Sequence, residues 1–287
     1  MTTAAPRTPP KPATGHDARS LSLRLQHALW RKAKVWRQRF LPRPLAQHVF
    51  VAGMQRSGTN LLMDVLDASA ATQVFHETDA RAFERYEMRD VAVIRQLARQ
   101  CPAPVFVVKA LCELDRIKSL MEIFTPAHTL WVVRDWRDSV NSAIKSFGNF
   151  VPQWQRLVDG DTEDWRGRGM SAATRELLAA LYRPDASEAE GAAIMWFYRN
   201  VLFFEQQLAA DPRVRVVFYE NLVQQPMREV AAVYDFLGLP GFNAAKARRI
   251  HAHSVKRRSP PDIAPAVTAL CDELLARFAA LPVRKPA

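Results

Sequence analysis

Cysteine is scarce in this sequence: Cys101, Cys112 and Cys271 are its only three, and no Cys-x-x-Cys pair occurs. That excludes a disulfide framework and a cysteine-based zinc cluster, and it makes a reducing, cytoplasmic compartment the expectation. Long hydrophobic runs are also missing. Nowhere do about 18 apolar residues follow one another, and the N-terminal stretch has no apolar segment of signal-peptide character, so a soluble or membrane-peripheral protein is expected. No internal repeat recurs. No cluster of His, Cys, Asp and Glu has metal-ligand spacing, which points to chemistry without a metal. Positive charge is plentiful but confined. Of the net +11, residues 1–47 hold +9, with ten Lys or Arg and one Asp, so the body is not broadly basic and nucleic acid is not an expected partner.

What remains is ample for a core. With 287 residues, 48% of them hydrophobic and 24% charged, the chain fits one large domain with appendages. Residues 1–19 are rich in Pro, Ala and Thr with almost no large apolar side chain, and read as a disordered tail. Residues 20–44 read as a basic amphipathic helix, with Leu21, Leu25, Leu29, Val35, Trp36 and Phe40 near helical spacing among Arg and Lys, stopped by Pro42 and Pro44. Such a helix over residues 20–41 either lies on an anionic membrane surface or packs on the main domain with a solvated basic face.

The main domain, residues 45–287, alternates short apolar runs with longer helical patterns. The runs are His48 to Ala52, Thr72 to Phe75, Val105 to Val108, Thr129 to Val133 and Val214 to Phe218. This alternation predicts an α/β fold of three layers, a central parallel sheet flanked by helices, with ligands at the carboxyl ends of the strands. Ser187 and Glu190 predict a capping box, and Pro226 and Gly238 bracket a later helix. Residues 147–185 break the alternation and read as an insertion, either an uninvolved excursion or a grip on substrate through Trp154, Asp161 and Trp165.

Between the first strand and the first helix stands Gly53-Met-Gln-Arg56-Ser57-Gly58-Thr59-Asn60, followed by Leu61. Glycines let the backbone curl so that N–H groups converge on an anion, and the helix N-terminus adds partial positive charge, so the loop is P-loop-like. The Walker lysine is absent, since Thr59 and Asn60 follow the second glycine, and a cation, Arg56, stands inside the loop instead.

Arginine followed by Ser-Gly-Thr after the first strand resembles the 5′-phosphosulfate loop of sulfotransferases that use 3′-phosphoadenosine 5′-phosphosulfate (PAPS), including the bacterial and tyrosylprotein branches. Further segments continue the resemblance in the same order: Trp131-Val-Val-Arg134 with Ser142 eight residues on, Tyr219-Glu220-Asn-Leu222 followed by Phe236-Leu237-Gly238, and Ser254-Val-Lys256-Arg257-Arg258-Ser259. The resemblance implies that Arg56, Ser57, Gly58, Thr59, Asn60 and Leu61 hold the 5′-phosphosulfate. It implies that Arg134 and Ser142 hold the 3′-phosphate under a basic loop of Lys256, Arg257 and Arg258. Tyr219 and Glu220 are read mainly as a lock between strand and helix. The expected reaction is sulfuryl transfer to a hydroxyl of a carbohydrate, peptide or lipid headgroup, without a metal. The family more often has lysine at the position of Arg56, which makes Arg56 a charge stabiliser rather than a proton donor. Lys109, at a strand end, then becomes the candidate for the mobile proton. The base is Glu77 by resemblance, with His76 as competitor on its ordinary pKa. A nucleotide-dependent kinase with a degenerate phosphate loop, and a basic adaptor for membrane or nucleic acid, are the alternatives.

Overall fold

The structure, a computed structural model, describes residues 33, 34, 36, 38, 47–161, 164–242, 244–250 and 261–282. Its strands in chain order are β1 (Gln47–Ala52), β2 (Thr72–Phe75), β3 (Phe83–Glu84), β4 (Glu87–Met88), β5 (Val105–Ala110), β6 (Ala127–Val133) and β7 (Val214–Phe218). The five long ones form one sheet in the order β2-β5-β1-β6-β7, with every pairing parallel, while β3 and β4 make a separate antiparallel hairpin.

Strands in such a sheet are buried on both faces, which is why they read as nearly continuous apolar runs. Val49, Val51, Val107, Leu130 and Val132 join one core, and Phe50, Ala52, Phe106, Val108, Trp131 and Val133 join the other. The first face is covered by α1 (Thr59–Asp67) through Leu62 and Leu66, and by the three helices that directly follow β7. On the opposite face lie α2 (Val91–Arg99), α3 (Ile117–Ile123), α4 (Trp136–Ser146), α5 (Phe150–Asp159), α6 (Ala172–Leu181) and α7 (Glu188–Glu205). The remaining helices are α8 (Tyr219–Gln224), α9 (Pro226–Phe236), α10 (Ala244–Ala247) and α11 (Pro265–Ala279).

Helix α7 is the pillar of the second face. It is buried without interruption from Glu190 to Phe203 and packs against α4, α5 and α11. A helix so largely apolar around its circumference, with its buried Glu190, Arg199 and Asn200 all hydrogen-bonded, belongs inside. Burying Trp196, Tyr198 and Phe203 contributes about 1.5–3 kcal/mol each. Its start is fixed by the capping box, in which Ser187 Oγ accepts from Glu190 N and Glu190 Oε2 accepts from Ser187 N. Helix α9 begins at Pro226, and Gly238 follows it at φ 61°.

The described part of the basic N-terminal segment packs on the domain through polar side chains. Lys34 Nζ donates to Asp67 O at 2.7 Å and to Asp67 Oδ1 at 2.8 Å, and Gln38 Nε2 donates to Ala70 O and Thr72 O. Both side chains are buried, while Trp36 between them is 62% exposed. The expected tail, residues 1–19, lies outside the described residues, as do Lys256, Arg257 and Arg258.

Candidate active site

Each of the five parallel strands delivers one component of the site at its carboxyl end, where parallel sheets hold their ligands. Central β1 delivers the loop. Gly53 at its start has φ 140°, and a Cβ there would stand 2.5 Å from Val132 O of the neighbouring strand. Gly58 is the N-cap of α1 at φ 98°, and a Cβ there would stand 2.2 Å from a Tyr219 ring carbon. Between them Arg56 takes a left-handed φ of 71°, a conformation that costs a residue with a side chain roughly 1–2 kcal/mol. Ser57 closes the turn, its Oγ donating to Met54 O at 2.5 Å. The first turn of α1 has neither an acidic residue nor a side-chain cap, so its positive end is not neutralised locally.

The cations come from β1's two neighbours. Arg134 follows β6; its Nη1 donates to Arg56 O at 3.1 Å and its guanidinium lies 4.6 Å over the Tyr219 ring. Trp196 of α7 donates its indole N–H to Arg134 O, and Glu220 accepts the N–H of Asp135, so the turn after β6 is clamped from both sides. Arg56 Nε donates to Ser142 Oγ on α4 at 2.9 Å, joining the loop to the helix that follows Arg134. Lys109 of β5 is 1% exposed, and its Nζ donates to Asn60 Oδ1 at 2.6 Å and to Glu77 Oε1 at 2.5 Å. Burial draws its pKa below the ordinary lysine value, against the upward pull of Glu77.

The structure separates the two expected bases. Glu77, two residues beyond β2, holds Lys109 and lines a cavity of about 560 Å³, whereas His76 is not among the lining residues. Met54, Leu111 and Met195 give that cavity an apolar lining, Tyr86, Phe147, Phe150 and Trp165 give it aromatic walls, and Arg85 and Arg166 add charge. Cys112 also reaches it, but burial pushes its thiol up to about 12, so it stays protonated and unreactive at neutral pH.

Residues 147–185 thus build much of the cavity wall, though not with all three side chains singled out in the sequence. Trp165 lines it. Trp154 does not: it is buried in the core at 1% exposure and donates to Leu178 O. Asp161 is paired with Arg156 at 2.5 Å. A buried arginine that its spacing did not single out, Arg199 of α7, holds the wall in place, donating to Leu111 O at 2.8 Å and Trp165 O at 3.2 Å.

The loop thus stands with two arginines and a serine at the carboxyl edge of the sheet. The family model for the sulfotransferase domain matches residues 46–258. The chain belongs to the sulfotransferase family. Sulfotransferases of this family move a sulfuryl group from PAPS to a hydroxyl-bearing acceptor, so the kinase and adaptor alternatives are not favoured. Among solved structures, this sulfotransferase is similar to one from Alicyclobacillus acidocaldarius, at 17% identity and a TM-score of 0.49 over 84% of this chain and 96% of that one. It is also similar to the sulfotransferase domain of the curacin biosynthetic pathway, at 12% identity and a TM-score of 0.49 over 81% and 98% of the two chains. Mouse sulfotransferase SULT7A1 complexed with PAP is similar at 15% identity and a TM-score of 0.44, over 80% and 84%. Among curated proteins none matches the chain. Among the described residues of the sulfotransferase, no helix is long and apolar enough to cross a membrane.

Proposed function

We propose that PAPS binds with its 5′-phosphosulfate in the loop Arg56 to Leu61 and its 3′-phosphate at Arg134 and Ser142, and that the acceptor hydroxyl enters the cavity beside Glu77. The observation that carries this reading is the bridge of Lys109 between Glu77 and Asn60, because it links the acceptor cavity to the first turn of α1. The residues fit the donor in charge and backbone: no carboxylate occupies the first turn of α1, and Gly53 and Gly58 let the loop curl at φ values of 140° and 98°.

Bound there, the donor supplies a sulfuryl group whose bond to the 5′-phosphate oxygen breaks, the electron pair staying on that oxygen, as the bond to the acceptor oxygen forms. Glu77 takes the acceptor's proton. Lys109 holds Glu77 in position, and its burial makes the ammonium a readier proton donor than an exposed lysine. Arg56 spends Nε on Ser142 and directs its remaining N–H groups at the charge growing on the leaving phosphate, where a fixed cation needs no reorganisation. Lys256, Arg257 and Arg258 complete the 3′-phosphate site in this reading.

Glu77→Gln provides the test. Titration with adenosine 3′,5′-bisphosphate in the absence of magnesium should show unchanged affinity, while kcat falls by about 10²–10⁴. Turnover at the wild-type level would transfer the base to His76.

We also propose a location: residues 20–41 rest on an anionic membrane surface at its cytoplasmic face. What supports this is that Lys34 and Gln38 are turned to the domain while Trp36 is exposed, in the segment that holds most of the net charge.

A further inference from the structure

The cavity beside Glu77 is mostly apolar, yet one wall carries a cation whose position is built at a cost. Arg85 and Tyr86 are the two turn residues of the β3–β4 hairpin, between the paired Glu84 and Glu87. Their φ values are 50° and 71°, so both are left-handed. Two-residue turns of this type favour Asn-Gly, because other residues meet their own Cβ. Here neither residue is small, and both side chains line the cavity.

The hairpin that carries them is fastened to the domain. Phe83 and Met88 are buried, Met88 N donates to the buried Glu113 at 2.7 Å, and Glu87 pairs at 2.5 Å with Arg168, just beyond Trp165. The turn therefore has a fixed position against the opposite aromatic wall.

The neighbouring carboxylates are all taken by other cations. Glu84 pairs with Arg89 at 3.5 Å, Glu87 with Arg168, Asp164 with Arg166 at 2.5 Å, and Glu77 with Lys109. Among the described residues no carboxylate lies within ion-pair distance of Arg85. A guanidinium beside apolar walls and without a counter-ion is a receptor for an anion, since it offers a planar fork that matches carboxylate or phosphate.

We propose that Arg85 makes the sulfotransferase selective for small acceptors with a hydroxyl at one end, an anionic group at the other, and an aromatic or similarly apolar body between. This rests on the reading that the cavity is the acceptor site. Tyr86, Phe147 and Trp165 would take the body, Glu77 the hydroxyl and Arg85 the anion. The cavity's volume lies within the range that suits one such molecule rather than a folded partner.

The test uses the full chain saturated with adenosine 3′,5′-bisphosphate and titrated calorimetrically with 3-(4-hydroxyphenyl)propanoate and with its uncharged amide. The carboxylate should bind about fivefold more tightly at low salt, a modest factor because Arg85 is exposed. Arg85→Gln should erase that difference with bisphosphate affinity unchanged, and Arg85→Lys should retain part of it. Equal affinity of the two probes in the wild type, a difference that survives Arg85→Gln, or no binding of either probe overturns the proposal. Failure of the bisphosphate itself to bind is visible before any acceptor is added; it brings down the donor reading and the Arg85 proposal with it.

Discussion

At Gly58 two constraints coincide. The φ of 98° is one that side-chain-bearing residues seldom adopt, and the space a Cβ would need is filled by the Tyr219 ring. That ring also supports the Arg134 guanidinium, so pushing it aside disturbs both proposed anion sites at once. Gly58→Ala should cost about 2–4 kcal/mol in stability, from backbone strain and overpacking together, and should weaken bisphosphate binding. Thermal melts and calorimetric titration check this. The double variant with Tyr219→Ala should recover part of the loss, since neighbours couple; a Gly58→Ala protein that melts and binds like the wild type would refute the account. The loop stood out in the sequence because its parts are consecutive, whereas Arg134 and Ser142 stood out only through the resemblance, since their spacing by itself reads equally as a solvated strand-to-helix turn. The seat of Tyr219 against Gly58 did not, because the two meet only when β7 is laid beside β6. Lys109's hold on Asn60 and Glu77 was hidden likewise, as it joins three strand ends.

At the scale of elements, the sheet and its flanking helices could be read because burial on both faces writes itself as apolar runs, and the capping box because it is local. The β3–β4 hairpin left no such trace. Its strands have two residues each, and Arg85-Tyr86 gives none of the glycine or asparagine signal that marks a tight turn. What holds the hairpin is Glu113, fully buried, with Oε1 on the Met88 N–H and Oε2 without a hydrogen-bond partner. Burial raises its pKa, opposed by that N–H and by Arg116 at 4.0 Å. A raised carboxyl binds its proton more tightly folded than unfolded. Its contribution is therefore fully present below its ordinary value of 4.5 and is lost as pH climbs through the raised folded value. Glu113→Gln, which keeps an acceptor for Met88 without the charge, should gain stability relative to the wild type over that rise. Denaturant melts across the pH range check it, and a difference between the two proteins that does not vary with pH would show that Glu113 is not the titrating group.

For the whole molecule, the informative quantity is where the charge lies. A body of about +2 bearing a segment of +9 is electrostatically two objects, and Lys34 and Gln38 tie the described part of the second to the first. Both of these described polar side chains face inward, while Trp36 between them is 62% exposed, and the proposed membrane contact gives that tryptophan a partner. An anionic bilayer attracts the basic segment from a distance and takes the indole into its interface. The full chain should therefore sediment with vesicles that contain phosphatidylserine and not with pure phosphatidylcholine vesicles, and added salt should release it. Trp36→Ala should weaken that binding about tenfold, the loss expected when one large apolar side chain no longer enters the interface. Sulfuryl transfer to a water-soluble acceptor should be unchanged, because none of this segment's described residues belongs to the sheet-end site. Equal sedimentation with neutral and anionic vesicles, or binding indifferent to Trp36, would mean that the helix serves only as a brace on the end of α1.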